Sequence, residues 1–204
     1  MKNNSLHANT PSIATDLEPF MPRLNTPATI DTAPAATHAS LKTVEKQLGG
    51  VPNLFRVVAN SPAALTGYLQ LSAASAQGGL DAATRERIAL AVAELNGCGY
   101  CLAAHSFLGR KVAKLDDTEI AANRSGASND PQADAAVRFA AAVVRERGRV
   151  GHDQVQAVLS AGYSDAHVLD ILLAVALNTF TNYVNEVVQT EIDFPAVAPL
   201  RLAA

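Results

Sequence analysis

Apolar side chains recur every three or four residues along most of the chain, the spacing that places them on one face of an α-helix. From about residue 39, the first such run holds Leu41, Val44 and Leu48, and Gly49-Gly50 ends it. The same spacing, together with caps and breakers, predicts further helices at about 51–58, 61–78, 82–95, 98–112, 116–123, 131–147, 153–159 and 164–189. No alternating strand pattern of useful length interrupts them. The chain is therefore predicted to be all-α.

Several helix ends are marked by residues with a clear physical role. Ser61-Pro62 combines an N-cap with a proline at the first helical position, and Asp81 and Ser164 are N-caps for two strongly apolar helices. Asn96-Gly97 separates the helix at 82–95 from the helix that follows it. A tight turn is therefore predicted between these two helices.

Composition divides the chain into three parts. Residues 1–38 are rich in Pro, Thr, Ala and Asn, and repeated prolines oppose both helix and sheet. This segment is predicted to be an arm that is disordered or draped over a neighbouring subunit. Residues 39–195 form the predicted all-helical catalytic domain, and residues 196–204 form an irregular tail.

A weak internal repeat is visible at a shift of 84 residues, which aligns Asp81 with Asp165. The same shift aligns the pair Cys98/Cys101 with the pair Asn182/Asn185. Both halves then contain a capped apolar helix that leads into two polar residues. A diverged repeat and a chance alignment in an alanine-rich helical chain remain equally open.

Composition and charge restrict the partners. Hydrophobic residues make up 49% and charged residues 17% of the chain, enough apolar surface for a sizeable core. The net charge of −3 is spread without a basic stripe, so nucleic acid is not an expected partner. The N-terminus lacks a secretory pattern, and the longest apolar stretch, 168–180, is too short to span a bilayer. No membrane partner is expected, and the predicted location is the cytoplasm.

The two cysteines, Cys98 and Cys101, are the most informative residues. A Cys-x-x-Cys pair in a reducing compartment is typical of a redox-active or metal-binding site. On a helix, Cys98, Cys101 and His105 fall within about 60° of arc, so two thiols and an imidazole share one stripe. Free amides at the start of a helix after Asn96-Gly97 favour a thiolate at Cys98, and His105 is placed to accept the proton of Cys101. These are the parts needed to reduce a peroxide.

A carboxylate is expected beside His105. If Asn96-Gly97 folds the two helices into an antiparallel hairpin, Glu86 and His105 differ in height by only about 4–5 Å. Glu94 is nearer to Cys98 along the chain and is the competing candidate. A carboxylate at this place would orient the imidazole and increase its basicity.

The residues around the dithiol resemble a known family. The run Arg85-Glu86-Arg87-Ile88-Ala89-Leu90-Ala91-Val92, followed by Asn96-Gly97-Cys98-x-Tyr100-Cys101-x-x-x-His105, is similar to the carboxymuconolactone decarboxylase / alkylhydroperoxidase D superfamily. The likeness extends from about Leu41 to Phe194. It includes the segments 50–55 and 176–183.

The resemblance implies an alkylhydroperoxidase D-like helical bundle that assembles as a homo-oligomer, often a trimer or hexamer, and reduces hydroperoxides. By position, Cys101 matches the thiol that attacks the peroxide and Cys98 the resolving thiol. His105 and Glu86 match a proton relay. Tyr100 stands where well-characterised members have a histidine. Its phenol is no base near neutral pH, so Tyr100 is assigned either to the lining of the substrate site or to packing.

The leading prediction is a peroxidase-like oxidoreductase of the alkylhydroperoxidase type, supplied with electrons by an external dithiol. No cofactor is expected, because the dinucleotide and phosphate-binding glycine motifs are absent from the sequence. A decarboxylase or lactone enzyme acting on a small organic acid is the rival, although the sequence offers no obvious arginine to bind a carboxylate. Further alternatives are a redox-sensing oligomer, two inert buried thiols, or a zinc site formed by Cys98, Cys101, His105 and one carboxylate.

Overall fold

The structure, a computed structural model, describes residues 22–198; the rest of the predicted arm and tail lies outside the described residues. Over that range every regular element is helical, so the all-α prediction is confirmed. The α-helices are α1 His38–Leu48, α2 Asn53–Val58, α3 Pro62–Gln77, α4 Ala82–Leu95, α5 Gly99–Lys111, α6 Asp117–Arg124, α7 Pro131–Glu146, α8 His152–Ser160 and α9 Asp165–Val188. Two short 3-10 helices at Ile30–Thr32 and Ala35–Thr37 precede them and were not predicted.

The helix starts follow the capping chemistry of the sequence. The Ser61 side chain accepts the Ala64 N–H at 3.2 Å, and Asp81 accepts the Thr84 N–H at 2.6 Å. These bonds satisfy amides that no helical carbonyl can reach. Because this chemistry is local, the observed helix ends lie close to the predicted ones.

Helix α4 lies at the centre of the bundle and packs against α5, α6, α7 and α9. Its apolar residues Ile88, Leu90 and Val92 are fully buried. A central helix with apolar residues on several faces fits this position, because it has neighbours on nearly every side. The few charged residues of α4 must therefore find partners inside the fold.

One of these charges belongs to a buried network between α4, α6 and the loop before α7. The Glu119 carboxylate accepts hydrogen bonds from Arg87 Nε at 2.7 Å, Asn123 Nδ2 at 2.9 Å, Ser128 Oγ at 2.6 Å and the Asn129 N–H at 2.8 Å. Burial alone would raise the pKa of Glu119, but these bonds lower it to about 2. We call this group the Glu119 network.

The described part of the predicted arm packs on its own chain. The Arg23 N–H donates to the Val188 carbonyl at 2.8 Å, and Arg56 donates to the Ala28 carbonyl at 3.0 Å. These contacts attach residues 22–38 to α2 and to the end of α9. Helix α1 begins at the end of this segment, at His38.

Helix α9 is partly core and partly surface. It is the one described helix long and apolar enough, by length and composition, to cross a membrane, and 44% of its most apolar window is buried within the fold. Its opposite side carries an exposed row at helical spacing, which we call the α9 stripe: Leu169, Leu172, Phe180, Tyr183 and Val187. An apolar row of this length on a surface is typical of a protein interface.

Candidate active site

The predicted hairpin of α4 and α5 carries the dithiol. Gly97 turns the chain with φ +70°, a conformation that favours glycine. Cys98 is the N-cap of α5, and its sulfur accepts the Cys101 N–H at 3.3 Å. Both cysteines are free thiols in the structure.

The two thiols differ in access. Cys98 is fully buried, whereas Cys101 lines a cavity of about 360 Å³ between α2, α3, α4, α5 and α9. The walls of this cavity are mostly apolar and aromatic and include Phe55, Tyr68, Tyr100, Phe107, Leu177 and Phe194. A small organic molecule in the cavity would therefore meet Cys101 and not Cys98.

The structure brings His105 and Glu86 together across the hairpin. His105 Nδ1 lies 2.9 Å from Glu86 Oε2, and both side chains line the same cavity as Cys101. The competing candidate, Glu94, points elsewhere and forms a 2.7 Å ion pair with buried Arg124. The carboxylate beside His105 is therefore Glu86, which was predicted from its height in the hairpin, and not Glu94, which is nearer to Cys98 along the chain.

The sequence argument for a thiolate at Cys98 is wrong for this structure. A hydrogen bond from the Cys98 thiol lowers the pKa of Cys101 most, whereas burial of Cys101 opposes the shift. The charge of His105 and the hydrogen bond from Asn185 lower this pKa further. The pKa of Cys101 becomes about 7. The pKa of Cys98 is raised, because its thiol is the donor to Cys101 and is buried. The hydrogen bond between the two thiols and the burial of Cys98 therefore outweigh the amides at the start of α5.

Glu86 shifts the proton affinity of His105 upward. Its burial alone would lower the pKa of the imidazole, but the charge of Glu86 and the hydrogen bond with it raise that pKa above its usual value. The negative charge of Cys101 and a hydrogen bond with Asn178 act in the same direction. Each of these interactions favours the protonated imidazole over the neutral one.

Two asparagines on α9 belong to the site, although the sequence assigned no chemistry to them. Asn185 Nδ2 donates to Cys101 Sγ at 3.2 Å, and Asn182 Oδ1 accepts from Asn96 Nδ2 at 2.9 Å. Both asparagines are buried. The sequence signals for them were the shift of 84 residues, which aligns Asn182 and Asn185 with the two cysteines, and, for Asn182, the family likeness of residues 176–183.

Tyr100 and Tyr68 form part of the cavity wall. The Tyr100 hydroxyl accepts the Leu54 N–H at 3.2 Å, and its ring packs edge-on against Phe194 at 5.7 Å. Burial raises the pKa of Tyr100, so its hydroxyl stays protonated near neutral pH. Tyr68, which sequence reasoning missed, also lines the cavity, and burial and the charges of Cys101 and Glu86 raise the pKa of its phenol.

The position of Arg85 differs from what was predicted from the sequence. The sequence suggested no arginine near the dithiol, but Arg85 lines the cavity that contains Cys101, and its side chain donates to the Leu80 carbonyl. Helix geometry explains the placement, since Arg85, Glu86 and Ala89 share one side of α4.

A metal site was one alternative for the dithiol. Within residues 22–198, no group of three His, Cys, Asp or Glu side chains is arranged so that it could bind a metal ion.

The dithiol and its hairpin lie in a segment of the chain that matches a known sequence family. Residues 61–146 match the sequence model of the Carboxymuconolactone decarboxylase family. This match supports the resemblance of the chain to the carboxymuconolactone decarboxylase / alkylhydroperoxidase D-like superfamily. No protein of the curated set matches it in sequence.

Solved structures share the fold. A peroxidase-related protein from Ralstonia eutropha JMP134, described as an alkylhydroperoxidase AhpD core, is 22% identical, covers 84% of this chain and 92% of its own, and has a TM-score of 0.76. A peroxidase-related protein from Silicibacter sp. TM1040 is 23% identical, with coverage of 83% and 91% and a TM-score of 0.73. The debrominase Bmp8, solved with 2,3,4-tribromopyrrole, is 19% identical, with coverage of 82% and 90% and a TM-score of 0.70.

Proposed function

We propose that this protein is a thiol-dependent peroxidase that reduces organic hydroperoxides through Cys101 and Cys98. The carrying observation is the contrast between the two thiols: Cys101 has a lowered pKa and lines the cavity, while Cys98 is buried behind it and hydrogen-bonded to it. One accessible thiolate and one protected partner are what a peroxidase with a resolving cysteine requires.

The first chemical step consumes the hydroperoxide. The Cys101 thiolate attacks the outer peroxide oxygen, so that an S–O bond forms as the O–O bond breaks. The alkoxide leaves with the bonding electron pair and takes a proton from the imidazolium of His105, which yields an alcohol. Cys101 is thereby oxidised to a sulfenic acid, and Glu86 stabilises His105 while it carries the proton.

The second step closes the dithiol. The Cys98 sulfur attacks the Cys101 sulfenic acid, so that an S–S bond forms and the S–O bond breaks. The hydroxyl leaves as water with the proton of the Cys98 thiol. An external dithiol then reduces the disulfide by exchange and becomes oxidised itself, which completes a two-electron cycle without a bound cofactor.

The test is peroxidase turnover with cumene hydroperoxide and a dithiol reductant. We expect turnover by the parent and none by Cys101→Ser. Cys98→Ser should form a sulfenic acid that dimedone traps in a single turnover, while the parent should form the disulfide instead. Trapped sulfenic acid in Cys101→Ser would mean that Cys98 is the thiol that attacks the peroxide. Full turnover in Cys98→Ser would mean that Cys98 is not needed as the resolving thiol. Stoichiometric oxidation without turnover would favour the redox-sensing alternative.

A second candidate function is acid–base chemistry on a small organic acid. It is favoured by Arg85, the arginine that a carboxylate substrate needs, beside Glu86 and His105 in one cavity. This reaction needs no thiol. The double variant Cys98→Ser/Cys101→Ser would therefore retain it, whereas peroxidase activity would be lost.

We also propose a homo-oligomer in the cytoplasm, assembled through the α9 stripe. The stripe leaves five large apolar side chains exposed on one helix, with Tyr183 60% and Val187 64% exposed. Light scattering should show an oligomer for the parent, of which a trimer or hexamer is expected, and smaller species for Tyr183→Glu. A monomeric parent at micromolar concentration would contradict the proposal.

A further inference from the structure

Arg85 has an unusual environment for a half-buried arginine. Its side chain donates to the carbonyl oxygen of Leu80, and it forms no ion pair with any of residues 22–198. By contrast, the neighbouring Arg87 and the buried Arg124 are each paired with a carboxylate at 2.7 Å. A guanidinium that is half removed from water without an anion is electrostatically unsatisfied.

The position of Arg85 makes this charge available to a ligand. Among the lining residues that the structure describes, Arg85 is the only lysine or arginine in the wall of the Cys101 cavity. The lining carboxylate Glu86 is engaged by His105 at 2.9 Å. The remaining wall is largely aromatic and aliphatic, so Arg85 is the group in the cavity best suited to an anion.

The cavity is also much larger than hydrogen peroxide, the smallest peroxide, requires. Its volume of about 360 Å³ lies within the range of about 300–1,000 Å³ that is usual for sites of small organic ligands. Such sites combine apolar walls, which bind the body of the ligand, with a few polar groups that orient it. Hydrogen peroxide would use neither the aromatic wall nor Arg85.

We infer that Arg85 is a substrate-binding residue and that the preferred substrate is an organic hydroperoxide carrying a carboxylate on an aromatic or branched apolar body. The inference rests on the proposed peroxidase function and adds the class of substrate. Arg85 binds the carboxylate, the aromatic wall binds the apolar body, and the hydroperoxide group lies against Cys101. The carboxylate is unchanged in the reaction, so the electron balance of the peroxidase steps is the same.

A matched pair of substrates tests this preference. Cumene hydroperoxide and its para-carboxy derivative contain the same peroxide bond and the same apolar body and differ only in the acid. With the parent protein we expect kcat/KM to be about tenfold or more higher for the acid, the effect of one charge-assisted hydrogen-bonded pair. Arg85→Gln should remove most of that ratio, and Arg85→Lys should retain part of it. Arg138→Gln, which removes a surface arginine of α7, should leave the ratio unchanged.

A binding measurement separates the subsite from the chemistry. In the Cys101→Ser protein, calorimetry should show that phenylbutyrate binds more tightly than its methyl ester. Adding Arg85→Gln should weaken phenylbutyrate binding by about tenfold or more. Arg138→Gln in the same background is the control, and circular dichroism checks the folding of each variant.

The outcomes distinguish the two proposals. If neither hydroperoxide is turned over but phenylbutyrate binding still depends on Arg85, the peroxidase function fails and the anion subsite stands. If both hydroperoxides are reduced with equal kcat/KM, and Arg85→Gln changes neither the ratio nor phenylbutyrate binding, the subsite is overturned and the peroxidase function stands.

Discussion

Two neighbouring residues of α4 belong to two very different polar groups. Arg87 joins the Glu119 network, in which the carboxylate receives four hydrogen bonds. Glu86 faces the Cys101 cavity, and within residues 22–198 its one hydrogen-bond partner is His105. The first carboxylate is saturated with partners, whereas the second keeps accepting capacity and lies beside a reactive thiol.

The difference separates a structural charge from a chemical one. A fully satisfied buried network stabilises one arrangement of helices and loop, and changing its protonation disrupts that arrangement. A carboxylate with one partner can change its interaction with that partner as a proton moves, at little cost to the fold. Identical substitutions in the two regions should therefore affect different properties of the protein.

The largest effect is expected for Glu119→Gln. It leaves Arg87 without its anion and weakens the bonds to Ser128 and Asn129, so the free energy of unfolding should fall by about 3–5 kcal/mol. Turnover per folded molecule should stay close to that of the parent. Urea denaturation followed by circular dichroism measures the first quantity. A loss below about 1 kcal/mol would mean that the network is not structural.

Glu86→Gln should show the opposite pattern. It preserves the shape but removes the charge that supports the imidazolium of His105, so turnover should fall by about 10–1000-fold. The pKa of Cys101 should rise in the same variant, because less imidazolium remains beside it. Steady-state kinetics with cumene hydroperoxide checks the rate, and urea denaturation should show little change.

The control for Glu86→Gln is Glu45→Gln, the same substitution at an exposed carboxylate of α1. Glu94→Gln is unsuitable as a control because Glu94 is paired with buried Arg124. Parent-like turnover in Glu86→Gln would remove Glu86 from the mechanism.

The two regions should also respond to pH in separate windows. The folded pKa of Glu119 is lowered to about 2, so its contribution to stability is present above its unfolded pKa and is lost as the pH falls towards 2. The Cys101 thiolate instead increases as the pH rises through about 7. The alkylation rate of the native protein against pH should have its midpoint near 7. A midpoint at or above about 8.5, the usual thiol value, would remove the activation argument.

The smallest expected effect concerns Asn185, which we propose as a positioning residue for Cys101. Asn185→Ala removes the 3.2 Å hydrogen bond to the sulfur and should raise the alkylation midpoint by about one pH unit. Asn60→Ala, at the turn before α3, should leave that midpoint unchanged. If Asn185 served only to hold α9 in place, stability would fall while the midpoint stayed where it is in the parent.

Much of the fold and part of the site could be predicted because the relevant interactions are local. Ser61, Asp81 and Ser164 cap helices through bonds that span three residues, so helix starts follow from short segments. The contact between Glu86 and His105 also follows from a short segment, since one turn at Asn96-Gly97 sets the register of two rigid helices. No comparable rule links residues that are far apart in the chain.

What the sequence by itself determined is the set of helices, the hairpin of α4 and α5, and the joint presence of two thiols, an imidazole and a carboxylate on it. Only the tertiary structure decided which thiol is acidic: the Cys98 thiol donates to Cys101, and the His105 charge and Asn185 of α9 lower the pKa of Cys101 further. It also decided that Arg85 faces the cavity and that Glu94 pairs with Arg124. Each of these outcomes depends on the packing of helices far apart in sequence, which sets burial and distance and therefore the energy of every charge.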